Sequence, residues 1–438
     1  MTLISWLPRF RHLDQTLSTL ADRQHWSADE IADWQLRRLN DLWGHARRAV
    51  PYYRRLSTQR NLPPRFGSLT EYFALMPVLD KQSIRDCPGF FLSGAAEAGC
   101  WHRTGGSTGD PTPVYWSHRA HREMLRAKYC CEQSYGVEVF DRRVFLWGHD
   151  GSFSPGLRGQ MQRLGRPVED RLRRRLRLSA YRLDEDHLRR AADRMQSFAP
   201  VIVYGYASAI ELLGETMRRE RMAIPSLRLA VMTAEPADQT MVDRVGRNYG
   251  CSAAIEYGSV ECGLIAYRMP GDVSVGTRLR TRDDMVIVET IAGEDGEYDI
   301  VVTVLNNPSF PLLRYRIEDT TSLPRRSCDR GFGYLADVRG RCNDHVRTAD
   351  GRRVHSMAIK HLIEPWTEIR RFTATQGSDG GLRVVLETPQ PVSGSVVATI
   401  RRRLEETLQG YSVRVETTDQ IPGNRAGKHR WIVSESAD

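Results

Sequence analysis

At 438 residues the chain exceeds the size at which one hydrophobic core stops growing, so two or more domains are expected. Its composition, 40% hydrophobic and 27% charged, is that of a soluble globular protein, and no run of about 18 apolar residues is present to cross a membrane. Lys and Arg exceed Asp and Glu by 63 to 54, but the arginines lack the interleaved aromatics, helix-turn-helix or zinc-finger spacing of a nucleic-acid binder, so no nucleic-acid partner is expected.

The first hundred residues read as helical. Met1 to Phe10 carries only a short apolar patch, Leu3 to Leu7, and no signal-peptide layout. Ser27 reads as an N-cap with Asp29 and Glu30 in the first turn, and Ile31, Trp34, Leu36, Leu39, Leu42 and Trp43 then recur at helical spacing. Pro51 is expected to end that helix. Val144–Trp147 reads as a short buried strand, and the arginine run 163–177 as a solvated helix face or a docking patch for an acidic partner. A helix opens near Leu183. Strands at 200–204, 227–232 and 253–257 then alternate with helices starting near Ser208 and Asp238. That alternation predicts an α/β domain with a largely parallel sheet.

The texture changes after residue 270. Met285–Glu289 and Tyr298–Thr303 read as strands joined across a Gly/Asp-rich turn, an antiparallel β subdomain. From about residue 341 a smaller α+β module follows, with a helix from Ser395 to Gln409 and a Gly/Lys-rich loop before Trp431–Val433. The eight cysteines show no C-x-x-C pair. Reduced thiols in a cytoplasmic protein fit that pattern, with convergence of Cys251, Cys262, Cys328 and Cys342 on a metal as the alternative.

The chemistry gathers in loops. Thr104-Gly105-Gly106-Ser107-Thr108-Gly109-Asp110-Pro111-Thr112 packs glycines and short hydroxyls into nine positions. Such a loop turns several N–H groups toward one anion, here phosphate, yet it has neither the Walker A spacing nor the dinucleotide fingerprint. In parallel α/β sheets ligands lie at the carboxyl ends of strands. Three carboxylate-bearing segments follow predicted strands: Thr233-Ala234-Glu235-Pro236, Gly258-Ser259-Val260-Glu261 and Arg314 to Asp319. Near phosphate, Glu261 is a candidate Mg2+ ligand, and Asp319 a candidate acceptor for ribose hydroxyls. Trp147, Gly148 and His149, with Tyr204, Gly205 and Tyr206, are candidate walls of an apolar slot or ordinary core.

The order of these pieces resembles the adenylate-forming superfamily, and within it the phenylacetate–CoA ligase branch with its capsule-biosynthesis and coenzyme F390 synthetase-like members. The resemblance runs from about residue 30 to the end. Thr104–Thr112 resembles the phosphate loop, Gly205-Tyr206-Ala207-Ser208 the G-Y-x-S turn, and Thr233–Pro236 the adenine-side T-x-E-P segment. Tyr257-Gly258-Ser259-Val260-Glu261 resembles Y-G-x-T-E, Arg314–Asp319 resembles R-Y-R-x-x-D, Gly340-Arg341 the G-R before the hinge, and Gly427-Lys428 the C-terminal G-K.

The resemblance implies a large ATP- and acid-binding domain, 1–340, and a small mobile α+β domain, 341–438, that carries Lys428. It implies ATP and Mg2+ as cofactors and a carboxylic acid as substrate. The acceptor is CoA by the family pattern, or an amine, a hydroxyl or a carrier-protein thiol. Lys428 would neutralise charge on the α-phosphate, and Glu261 would hold Mg2+. Three residues depart from the pattern: Asp110 in the phosphate loop, Val260 beside Glu261, and Asn343 at the hinge position.

Overall fold

A computed structural model describes residues 13–104, 111–147, 170–180, 185–270, 278–293, 297–328, 331–338, 345–347, 353–355, 359, 362–363, 366, 368–369, 371–377, 380–388, 392–408, 411–419, 421 and 432–434. Helix α1 (Leu13–Arg23) precedes the long helix α2 (Ala28–Ala49). Ser27 starts α2 with a capping box: its Oγ accepts the Glu30 N–H at 3.2 Å, and Glu30 Oε2 accepts the Ser27 N–H at 2.8 Å. The periodic residues Ile31, Leu39, Leu42 and Trp43 all turn inward. Pro51 does not simply close this helix. Val50 adopts an extended backbone, and Pro51 then opens α3 (Pro51–Gln59) at its first position, where proline's fixed φ suits a helix and its missing N–H costs nothing. Short helices α4 (Leu69–Leu75) and α5 (Lys81–Asp86) complete the helical layer.

A hairpin of β1 (Gly99–Arg103) and β2 (Pro113–Ser117) leads into α6 (His118–Gln133). The central sheet is then built from β3 (Arg143–Trp147), β4 (Arg175–Ser179), β5 (Ile202–Tyr206), β6 (Leu229–Thr233), β7 (Ser252–Ser259), β8 (Gly263–Tyr267) and β9 (Leu279–Thr281). Helices α7 (Glu185–Phe198), α8 (Ala207–Arg219) and α9 (Gln239–Tyr249) connect β4 to β5, β5 to β6 and β6 to β7. With β13 (Tyr334–Leu335) the sheet has eight strands in the order β13-β9-β8-β7-β6-β5-β3-β4. It is parallel from β4 to β7, as the β-α alternation predicts, and antiparallel beyond. Of the arginine run, residues 170–172 are helical, but its last residues are not a helix face. Residues 175–179 form the edge strand β4, and Arg177 pairs with Asp170 at 3.0 Å.

The β subdomain is a three-stranded meander of β10 (Val286–Ala292), β11 (Tyr298–Val304) and β12 (Tyr315–Thr321). The segment from Arg314 to Asp319 is therefore largely strand rather than a loop after the subdomain. Tyr315 and Ile317 alternate inward, which is the period of a half-buried strand.

Towards the C-terminus, β14 (His345–Arg347) pairs with β15 (Arg353–His355). A four-stranded sheet follows in the order β18-β17-β16-β19, from β16 (Arg371–Gln376), β17 (Leu382–Glu387), β18 (Val413–Thr418) and β19 (Ile432–Ser434), with helix α10 (Gly394–Leu408) between β17 and β18. Val346, Phe372, Val384, Ile400, Leu404 and Leu408 form a core of their own, separate from the large cluster that runs from Leu39 to Leu335.

Candidate active site

The glycine-rich loop joins β1 to β2, and its two ends are clasped. The Thr104 N–H donates to the Thr112 carbonyl at 3.1 Å, and the Thr112 N–H returns a bond to Thr104 Oγ1 at 2.9 Å. Arg85 Nε donates to Thr112 Oγ1 at 2.9 Å. Gly105, Gly106, Ser107, Thr108, Gly109 and Asp110 lie outside the described residues.

Glu261 follows β7 in a tight turn. The Cys262 N–H donates to Ser259 Oγ at 3.0 Å, and Trp116 Nε1 donates to the Val260 carbonyl at 2.9 Å. Gly258 is required where β7 bulges against β8, because a Cβ there would lie 2.3 Å from the Gly263 carbonyl oxygen. Glu261 is 4% exposed and pairs at 3.2 Å with Lys81, itself 5% exposed at the first position of α5. Tyr315 on β12 donates its hydroxyl to the same oxygen, Oε1, at 3.1 Å, and Glu318 stands 3.8 Å from the Lys81 ammonium. Burial, with Glu261 next, pushes the Tyr315 phenol far up, so it acts as a donor. Sequence reasoning missed Lys81. Its only signal is Asp80 beside it, an N-cap that accepts the Ser83 N–H at 2.7 Å.

Tyr257 and Asp319 meet across the strands: the Tyr257 hydroxyl donates to Asp319 Oδ2 at 3.0 Å. Burial, then the Asp319 charge, raises the Tyr257 phenol well above its ordinary range. The neighbouring backbone is strained, with Arg314 at φ 49° and Glu318 at φ 73°. Arg314 is held by a two-pronged pair with Glu289 at 2.9 Å and by carbonyls of Phe73 and Met76, so this arginine fixes α4 to the meander.

After β6, Thr233 is buried, Ala234 takes φ 64°, and Pro236 is exposed. Glu235 accepts the Ser208 N–H at 2.7 Å and the Ser208 hydroxyl at 3.1 Å, anchoring the start of α8, which has no side-chain N-cap of its own. The aromatic candidates on β3 and β5 come together. Trp147 stacks on Tyr206 at 4.5 Å and lies 5.9 Å from Tyr204. Burial, then Glu235, pushes the Tyr206 phenol up to about 12. Gly205 sits where a Cβ would come 2.2 Å from the Leu146 carbonyl oxygen. Two charged residues that the sequence did not single out complete this wall. The Tyr204 hydroxyl donates to Glu256 Oε1 at 2.7 Å, and Lys128 pairs with Glu256 Oε2 at 3.0 Å.

His149, Arg341 and Lys428 lie outside the described residues, as do Cys342 and Asn343. Among the described residues no group of three or more His, Cys, Asp or Glu is gathered to hold a metal, and no helix is long and apolar enough to cross a membrane.

This architecture, a β-α sheet with a clasped glycine loop and acidic turns at the strand ends, is that of the adenylate-forming ligases. A 2-hydroxyisobutyryl-CoA ligase, solved with its acyl-adenylate and CoA, superposes with a TM-score of 0.63 over 94% of this chain and 91% of its own at 17% identity. No protein-family profile matches. Among sequence relatives, the phenylacetate–coenzyme A ligase of Aromatoleum evansii is 25% identical over 339 residues, 73% of this chain and 72% of its own. The protein CapK of Staphylococcus aureus is 21% identical over 298 residues, 67% of this chain and 64% of its own, so the chain spans less than two thirds of that relative. In both sequence relatives and fold, the chain is similar to the phenylacetate–CoA ligase-like branch of the adenylate-forming enzymes.

Proposed function

We propose that the protein activates a carboxylic acid with ATP and passes the acyl group to an acceptor, with CoA first in line. In the first step a carboxylate oxygen bonds to the α-phosphorus, the bond to the departing pyrophosphate breaks, and an acyl-adenylate forms. In the second, the CoA thiol gives its proton to solvent, its sulfur bonds to the acyl carbon, the bond from that carbon to the phosphate oxygen breaks, and AMP leaves. Positioning and charge stabilisation carry such chemistry. The observation that supports this reading best is the meeting of β7 with β12, where Tyr257 orients Asp319 and Tyr315 orients Glu261.

In this reading Asp319 accepts from the ribose hydroxyls. Thr233, Ala234, Glu235 and Pro236 flank the adenine with Tyr257, Gly258 and Ser259, and Thr104 to Gly109 hold the β- and γ-phosphates. Arg341 stands at the hinge. Mg2+ would be held by Glu261, a single carboxylate whose Oε1 is already addressed by Lys81 and Tyr315. Bound there, Mg2+ would offset phosphate charge. Residues 341–438 form the unit that brings Lys428 to the α-phosphate.

ATP-dependent pyrophosphate release across a panel of acids tests the reading, and no release with any acid sinks it in favour of a binding scaffold. Adding CoA, then hydroxylamine as a general acyl trap, separates a CoA ligase from one that uses an amine, a hydroxyl or a carrier protein. Lys428→Ala is expected to suppress acyl-adenylate formation by roughly a hundredfold or more while the protein stays folded, the scale of losing one charge stabiliser. Release at the wild-type rate would remove Lys428 from the mechanism.

A further inference from the structure

The face of the sheet that carries Trp147, Tyr204, Tyr206 and Glu256 is built differently from its reverse. Register places Phe145 beside Tyr204, Tyr206 beside Thr233, and Thr233 beside Glu256, so these side chains share one face. On the opposite face Leu146, Val203, Met232 and Ile255 are buried. Trp147, Tyr204, Tyr206 and Glu256 retain partial exposure, although β5 and β7 lie inside an eight-stranded sheet. Trp147 and Tyr206 are the last residues of β3 and β5, at the carboxyl end of the parallel sheet. Across that face lies α6, whose inward positions include Ala120, Ala127, Lys128 and Cys131.

Lys128 is 13% exposed and Glu256 12%, and they pair at 3.0 Å. The Lys128 ammonium lies 3.3 Å from the centre of the Tyr204 ring, and that tyrosine donates to Glu256 at 2.7 Å. Burial pulls the lysine down, but Glu256, Tyr204 and Glu132 together outweigh it and raise the ammonium above its ordinary range, so the lysine keeps its charge at neutral pH. As pure scaffold this is a poor choice, since an apolar pair of the same size avoids the desolvation cost. Its place beside the stacked Trp147 and Tyr206 gives it another use.

We propose that Glu256 and Lys128 determine specificity, favouring an acid that carries a hydroxyl remote from its carboxylate. The inference rests on the adenylation reading above. The stacked wall of Trp147 and Tyr206 suits a flat ring. A hydroxyl is the smallest group that both donates and accepts: its O–H donates to the Glu256 carboxylate, and its oxygen accepts from the Lys128 ammonium. A plain ring in the same place strips water from an ion pair and returns no hydrogen bond.

The test is ATP-dependent pyrophosphate release by the full chain with matched acids: 4-hydroxyphenylacetate against phenylacetate, 4-hydroxybenzoate against benzoate, and hexanoate as an aliphatic control. The hydroxylated member of at least one pair is expected to show a kcat/KM about tenfold higher or more, the scale at which sites built for a hydroxyl begin to reject its absence. In Lys128→Met/Glu256→Gln, which keeps side-chain volume and removes both charges together, that ratio is expected to fall to within about twofold. Tyr204→Phe, which leaves the ion pair whole, gives an intermediate ratio if the paired variant does not fold. Equal turnover of both members, or turnover of hexanoate alone, overturns this inference and leaves adenylation standing. Release with no acid overturns adenylation, and this inference falls with it.

Discussion

The pair formed by Lys81 and Glu261 is the residue-scale feature that most constrains the proposed site. Both are almost wholly buried, and Glu318 is the only other carboxylate recorded within 4 Å of the lysine among the described residues. A buried carboxylate that loses its partner keeps its desolvation penalty, so Lys81→Met is expected to cost about 3–5 kcal/mol in denaturant unfolding. Glu261→Gln leaves the lysine only Glu318, at 3.8 Å, and is expected to cost less than Lys81→Met. The double variant removes both charges and is expected to lose clearly less than the sum of the single losses, a coupling of about 1–3 kcal/mol. Strictly additive losses would mean that the pair carries no mutual energy. The same Glu261→Gln protein is expected to need more Mg2+ for half-maximal ATP turnover, and unchanged Mg2+ dependence would take Glu261 out of the metal role. Sequence reading reached Glu261 because it ends a strand inside a recognisable string, Tyr257 to Glu261. It missed Lys81, Lys128 and Glu256 because their partners are distant in sequence and no local pattern links them.

At the scale of elements, the joint between the β1–β2 hairpin and α6 is where sensitivity to acid is expected. His102 on β1 stacks on His121 of α6, with ring centres 6.3 Å apart and planes 9° from parallel. Burial lowers both imidazoles below their ordinary value, and His102 and His118 lower His121 further. A histidine whose folded pKa is depressed binds protons more readily when unfolded. Stability is then intact above the unfolded pKa, about 6.5, and falls as pH drops through it. Thermal unfolding is therefore expected to lose more between about pH 7.5 and pH 5.5 in the native chain than in His121→Phe, which keeps a ring in the stack and removes its charge. Parallel losses in the two proteins would place the acid sensitivity elsewhere. Because this hairpin carries the glycine loop at its tip, nucleotide affinity is expected to follow the same trend. The hairpin and α6 went unread, while the parallel strands and their connecting helices were legible from their periods, which burial on one face enforces. Pro51 and β12 were not. Proline ends one helix and starts another by the same fixed φ, and β12 hides its alternation inside a string of charged residues that read as a loop.

For the whole molecule, the separation of its two cores has a thermodynamic consequence. Most described buried apolar residues from Leu39 to Leu335 form one large cluster, Leu17, Leu20 and Cys130 a small one beside it, and those from Val346 to Val413 another, with no buried residue in common. Two cores without shared side chains are expected to unfold as two cooperative units, each able to lose its packing without emptying the other. That independence is what a small C-terminal unit needs if it is to bring Lys428 to the phosphates for one half-reaction and leave for the next, as the proposed mechanism requires. Leu404 tests it. It is fully buried on α10 against Ile400 and Leu408, so Leu404→Ala creates a cavity in the smaller core and is expected to cost that unit about 2–5 kcal/mol. Calorimetry of the full chain should then show the lower-enthalpy transition moving to lower temperature while the larger one stays in place. AMP, which in the proposed site contacts Asp319 and the Tyr257 turn, should raise the larger transition alone by mass action. A single transition that shifts as a whole in Leu404→Ala would mean that the cores are energetically fused, and a lysine carried by rigid-body motion of residues 341–438 would then need another account.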